Sequence, residues 1–172
     1  MSCGKTLATQ PLRAISFPLN INPLIMITVR SLLQQKGTQT WTISPESTVF
    51  QALELLAEKN IGALPVVENG KLTGIFSERD YARKVVLKGK TSRDTQVREL
   101  MTSKVYFVKP QRSMEDCMRL MSEKHIRHLP VLDYGKLVGI ITIGDVVKAI
   151  IGQQERMIRD LEGYVSGAMY IS

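Results

Sequence analysis

The chain has 172 residues, 44% hydrophobic and 23% charged, with a formal net charge of +7. That length suits one compact domain or two small ones sharing a core, and no apolar run approaches the roughly 20 residues of a membrane span. Cys3 and Cys117 are far apart and differ in setting, which argues against a disulfide framework and fits a reducing compartment, here expected to be the cytoplasm.

Residues 1–25 hold Lys5 and Arg13 but no acid, and Pro11, Pro18 and Pro23 break any long helix. They read as a disordered extension ahead of Met26, with neither the apolar core of a secretory signal nor the Arg and Ser content of a transit peptide. "VRSLL" at 29–33 suggests a short helical turn, and "WTI" at 41–43 a short strand. Val49, Ala52, Leu53 and Leu56 then recur at helical spacing, which predicts an amphipathic helix. An apolar strand follows at 63–67, "ALPVV", then Asn69-Gly70, a strong hairpin signal. A second strand runs "KLTGIF" at 71–76, and a last helix opens near Asp80.

The same series then returns. Residues 45–86 set against 110–151 share Pro45/Pro110, Leu64/Leu129, Pro65/Pro130, Gly70/Gly135, Gly74/Gly139, Asp80/Asp145 and eight further identities without a gap. "VRELM" at 97–101 answers "VRSLL", but offset by 68 rather than 65, so the first copy carries three extra residues within "QQKGTQTW". The second copy has its strand at "YFV", a helix with Met114, Cys117, Met118 and Met121 on one stripe, and strands "HLPVL" and "KLVGII". The Met-rich stripe, Cys117 included, suits core filling rather than chemistry. Each copy of about 60 residues would bury a thin core alone. The expected fold is α+β: two β-α-β-β-α repeats, related by a pseudo-twofold axis and packed sheet to sheet. The boundaries are 1–25 extension, 26–88 first repeat, 89–96 linker, 97–152 second repeat, and 153–172 a C-terminal helix and tail.

Ser77-x-x-Asp80 and Thr142-x-x-Asp145 each follow a strand and open a helix. As local structure they are capping sequences. The same geometry can serve a ligand: free N–H groups and the positive dipole end attract phosphate, and a carboxylate one turn in can accept both hydroxyls of a ribose. Flanking apolar residues could sandwich a flat base: Ile61, Ala63 and Pro65 in the first copy, and Val108, Ile126, Leu129, Pro130 and Ile143 in the second. Repeat 2 adds Arg127, His128 and the backbone at Gly144; Arg suits phosphate through its planar fork of donors. Repeat 1 adds Thr42, Arg79 and Arg83. The second copy is the expected tighter site. His125, His128 and Glu123 do not share a helix face, which disfavours a metal there, and no nucleophile constellation or Gly-rich phosphate loop is present.

"IGALPVVENGKLTGIFSERD" and "IRHLPVLDYGKLVGIITIGD", each preceded by a strand and Pro45 or Pro110, resemble a tandem pair of cystathionine-beta-synthase-type (CBS) domains, the regulatory Bateman module. The likeness covers roughly 27–152 and is closest to stand-alone two-repeat proteins with "SERDYARK" and "IRHLPV". It implies a non-catalytic module that binds an adenine nucleotide (AMP, ADP, ATP, S-adenosylmethionine or NAD(H)) in the inter-repeat cleft. It also implies a homodimer through the CBS helices, and an unknown regulated protein. The family's Thr-h-x-Pro pattern is met by Thr42-Ile43-Ser44-Pro45, whereas repeat 2 has Phe107 in place of the Thr. A second reading comes from charge: residues 79–112 hold ten Lys/Arg against Asp80, Asp94 and Glu99, which could serve nucleic acid.

Overall fold

Thr48 and Ser113 each accept a hydrogen bond from the backbone N–H three residues on, and a helix starts immediately after each. These are α2 (Val49–Lys59) and α5 (Met114–Lys124). They end where Asn60 and His125 turn left-handed, at φ 51° and 52°. The computed structural model describes residues 26–84 and 91–168; the expectations for 1–25, residues 85–90 and the last four residues lie outside them. The other elements are α1 (Val29–Lys36), β1 (Ala63–Glu68), β2 (Lys71–Ser77), α3 (Glu78–Lys84), α4 (Val97–Leu100), β3 (His128–Asp133), β4 (Lys136–Thr142) and α6 (Ile143–Ala168). β1–β2 and β3–β4 are antiparallel hairpins. Their turns, Asn69-Gly70 and Tyr134-Gly135, put both central residues at positive φ, the conformation whose twist matches the strands.

The strands expected at "WTI" and "YFV" shrink to one ladder residue each. Ile43 pairs in parallel with Val66, and Val108 with Val131. Ile43 donates to Pro65 O at 3.1 Å and accepts from Val67 at 2.9 Å. The next rungs would need N–H groups from Pro65 and Pro45, and in repeat 2 from Pro130 and Pro110. Proline has none. The duplicated prolines therefore limit each parallel pairing to one position. A second difference lies at the C-terminus: the final helix of repeat 2 runs through Gly152 without a break, so 143–168 is one helix of 26 residues. A glycine costs roughly 1 kcal/mol in a helix interior but does not end it.

Two hydrophobic cores result. One gathers Val49, Ala52, Leu56, Leu64, Val66 and Phe76 of the first copy, and is completed by Val97 and Leu100 of α4. The other gathers Met114, Cys117, Met121, Leu129, Val131, Ile141 and Val146, and is completed by Val29 and Leu33 of α1. The leading helix of each repeat thus packs in the core of the other. Backbone bonds fix the exchange: Val29 and Arg30 donate to Arg112 O and Pro110 O, while Val97 and Arg98 donate to Ser47 O and Pro45 O. Membership of a core and position in the repeat part company at these two helices. β2 and β4 meet between the two halves.

The exchange explains the shared glycine of "GIF" and "GII". A Cβ on Gly139 would lie 2.8 and 2.9 Å from the two methyl carbons of Leu33, and one on Gly74 would strike Met101, just past α4. Gly139→Val is therefore expected to destabilise the protein by about 1–3 kcal/mol through overpacking. Leu33→Ala in the same chain should recover part of that loss. Denaturant midpoints of the single and double variants measure both effects; strict additivity would show that Leu33 is not the obstacle.

Candidate functional site

The heads of α3 and α6 are built alike. Ser77 N–H and Oγ–H donate to Asp80 Oδ2 at 3.1 and 2.6 Å, and Asp80 N–H donates back to Ser77 Oγ at 3.3 Å. Thr142 N–H and Oγ1–H donate to Asp145 Oδ2 at 2.8 and 2.9 Å, and Asp145 N–H returns to Thr142 Oγ1 at 3.2 Å. Both turns are reciprocal caps. Each uses only Oδ2 of the carboxylate.

What else reaches the two carboxylates differs. Asp80 Oδ1 is held by Lys84 Nζ at 2.7 Å, one turn along its own helix, and by Thr102 Oγ1 at 3.3 Å. Lys84 also donates to Leu100 O at 2.7 Å. Asp145 receives its cation from afar: Lys36, the last residue of α1, donates to Oδ2 at 2.5 Å and to Ile140 O at 3.1 Å. Among the described residues none donates to Asp145 Oδ1. Burial would raise the Asp145 carboxyl. The Lys36 hydrogen bond, the Thr142 N–H, the Lys36 charge and the Thr142 hydroxyl together outweigh that and hold it below its ordinary value.

His128 begins β3 beside this helix head. Its ring lies against Gly62 of the first repeat, where a Cβ would stand 3.4 Å from the imidazole and 3.5 Å from Glu78 Oε2. The counterpart of Gly62 in repeat 2 is Arg127. Burial pushes the imidazole below its ordinary 6.5; the Glu78 and Asp145 charges oppose, and Lys36 and Arg127 add to the depression. The head of α3 and the start of β3 therefore share one inter-repeat environment.

The CBS family profile matches residues 38–87 and 97–152. The chain belongs to the CBS domain family. A mitochondrial CBS domain-containing protein of Arabidopsis thaliana, CBSX3, is 32% identical over 96% of this chain and 82% of its own. The crystal structure of the CBS domain protein NE2398 is 49% identical, with a TM-score of 0.71 over 73% of this chain and 98% of that one. The CBS domain pair of protein MJ0100, solved in complex with 5′-methylthioadenosine and S-adenosyl-L-methionine, is 28% identical, with a TM-score of 0.66 over 74% and 98% of the two chains.

Within this CBS pair the sequence-derived candidates separate into three groups. Thr142, Ile143, Gly144 and Asp145 form the head of α6, with Arg127 and His128 beside it; Arg127 O accepts Ile143 N–H at 2.9 Å. Ser77 and Asp80 form the head of α3. Arg79 is drawn away from it to the carbonyl of His125 at 3.1 Å, while Arg83 and Thr42 are exposed. Ala63, Pro65, Val108, Leu129 and Pro130 are buried. Val108 and Leu129 belong to the second core, and Ile61 and Ile126 pack at the core margins. These apolar residues shape the strands more than they offer a base a surface. Of these candidates Val108 borders a hollow of about 490 Å³ along Phe107–Arg112, and a second hollow of about 330 Å³ lies beside Ile158, Leu161 and Val165 on α6.

Sequence reasoning missed Lys36. Its only signal was the three-residue excess after "VRSLL", which lengthens α1 to eight residues against four in α4. Cys117 is fully buried, and burial, opposed by Arg112, pushes its thiol up to about 11. Among the described cations of the basic 79–112 stretch, Lys84 pairs with Asp80, Arg98 with Glu46 and Arg112 with Asp116, while Arg93 stacks over Phe50. Among the described residues no helix is long and apolar enough to cross a membrane.

The half-buried imidazole carries a pH consequence. An unfolded His128 gains a proton near its ordinary 6.5, and the folded one does so only at lower pH. Between those points the unfolded chain binds more protons, so stability falls as pH falls below about 6.5. His128→Gln should flatten the loss of melting temperature between about pH 7 and pH 5. Equal slopes for the variant and the wild type would contradict a depressed His128 imidazole.

Proposed function

We propose that this CBS pair is a non-catalytic sensor that binds an adenine nucleotide (AMP, ADP, ATP or NAD(H)) at the head of α6. One observation carries the reading. Asp145 is held ionised with Oδ2 committed to the cap, while Oδ1 takes no bond from a described residue. A vicinal diol can donate to such an oxygen, and the Gly144 N–H and Arg127 can meet phosphate. Binding of adenosine derivatives by the related pair of MJ0100 supports the ligand class. The head of α3 is the weaker candidate, because both oxygens of Asp80 are already engaged.

The ligand acts on a partner only through unequal affinity for two conformations of the pair. A homodimer gives that change a lever: Val147, Ile151, Ile158 and Leu161 are exposed apolar residues along α6, and these faces suit a second copy in a thiol-reducing compartment such as the cytoplasm. Nucleic acid is the weaker reading, since several cations of the 79–112 stretch are bound to the protein itself.

Calorimetry with AMP, ATP and NADH tests the assignment. Asp145→Ala should weaken the tightest of them at least about tenfold, the loss of a charged hydrogen-bond acceptor. Asp80→Ala should cost less. Unchanged binding by the Asp145 variant, or an affinity that collapses steeply with salt for oligonucleotides and is absent for mononucleotides, would reject the reading.

A further inference from the structure

Lys36 sits on the Asp145 oxygen next to the one a ligand would use. It ends α1, next to Gly37 at φ 94°, and its side chain reaches 109 residues along the chain to Asp145. Its other acceptor is the carbonyl of Ile140, on the same strand end. The counterpart cation in repeat 1 is tied differently: Lys84 is on the helix of its own Asp80 and also held by the Leu100 carbonyl. Lys36 alone arrives from an exchanged helix, on a flexible four-carbon stem whose head is a compact charge with three donors. Its side chain is one-third exposed, so the ammonium can turn to a new anion without unpacking α1, which Val29 and Leu33 anchor in the core.

We infer that Lys36 is the specificity-determining residue of the α6 site, neutralising the Asp145 carboxylate through Oδ2 in the free protein and moving onto the phosphate of a bound nucleotide. This rests on the nucleotide reading of Asp145 above. The consequence is selection by charge. A neutral nucleoside donates to Oδ1 of a carboxylate that the ammonium on Oδ2 has already neutralised, and so meets a weaker acceptor. A nucleotide draws the ammonium onto its phosphate and restores the full charge of Asp145. The ion pair therefore penalises adenosine and spares AMP.

Removing Lys36 should move the two ligands in opposite directions, which a merely structural role would not do. In calorimetry on the full chain, Lys36→Met should bind AMP about tenfold more weakly, the worth of a charge-assisted contact, and adenosine more tightly than wild type does. Lys36→Gln is a second neutral variant with the same expectation, and Lys36→Arg should restore the preference for AMP. Equal shifts of both ligands, or no shift of either, would overturn the role given to Lys36 while leaving Asp145 in place if Asp145→Ala still weakens AMP binding about tenfold or more. A wild-type protein that binds neither AMP nor adenosine would overturn the site and this role together.

Discussion

The exchange of leading helices is the constraint on which the rest of this structure depends. Val29 and Leu33 fill the core beneath β3 and β4, and Val97 and Leu100 fill the one beneath β1 and β2. A repeat of about 60 residues has little interior to bury by itself. Here neither repeat closes its core from its own residues, so each stabilises the other. The glycines at 74 and 139 follow from this, because a side chain there would collide with the incoming segment. The exchange also sets the inter-repeat geometry: it brings the end of α1 to the head of α6 and turns the segment after α4 onto β2, where Thr102 and Ile75 exchange backbone hydrogen bonds.

At the helix heads, capping and binding do not compete for the same atoms. One oxygen of each aspartate closes the cap, and the other is open to further use. In repeat 1 that second oxygen is taken by Lys84 and Thr102. In repeat 2 both the cap and Lys36 converge on Oδ2. Two heads duplicated in sequence have thus diverged through what the surrounding chain delivers to them. His128 against Gly62 is the same divergence in another place, since the duplicated positions hold Ala63 and Arg127. A pseudo-symmetric pair acquires distinct sites where its duplicated positions carry different residues.

Much of the fold was legible before any coordinates. The stripes at 49, 52, 53, 56 and at 114, 117, 118, 121 are buried or half-buried as their periodicity requires, and both hairpin turns lie where Gly70 and Gly135 put them. The parallel strands were over-read, because apolar "WTI" and "YFV" look like strands until the missing N–H groups of four prolines are matched to the rungs they would have to supply. The continuity of α6 through Gly152 was under-read, because glycine weakens a helix without stopping it. Of the candidate site, the hydroxyl and carboxylate of each cap lie within three residues and were visible as a motif. The burial of Val108 and Leu129 was not, because alternation along a strand tells which residues share a face and not what covers it.

By itself the sequence determined the duplication, the elements and the capped helix heads, since all of these are fixed by residues within a turn or a hairpin of one another. Only the tertiary structure decided which core receives each leading helix, and that Lys36 rather than a neighbour of Asp145 neutralises its carboxylate. Those outcomes depend on how two distant stretches close on each other, and a helix with an apolar face carries no record of which of two similar cores it will fill.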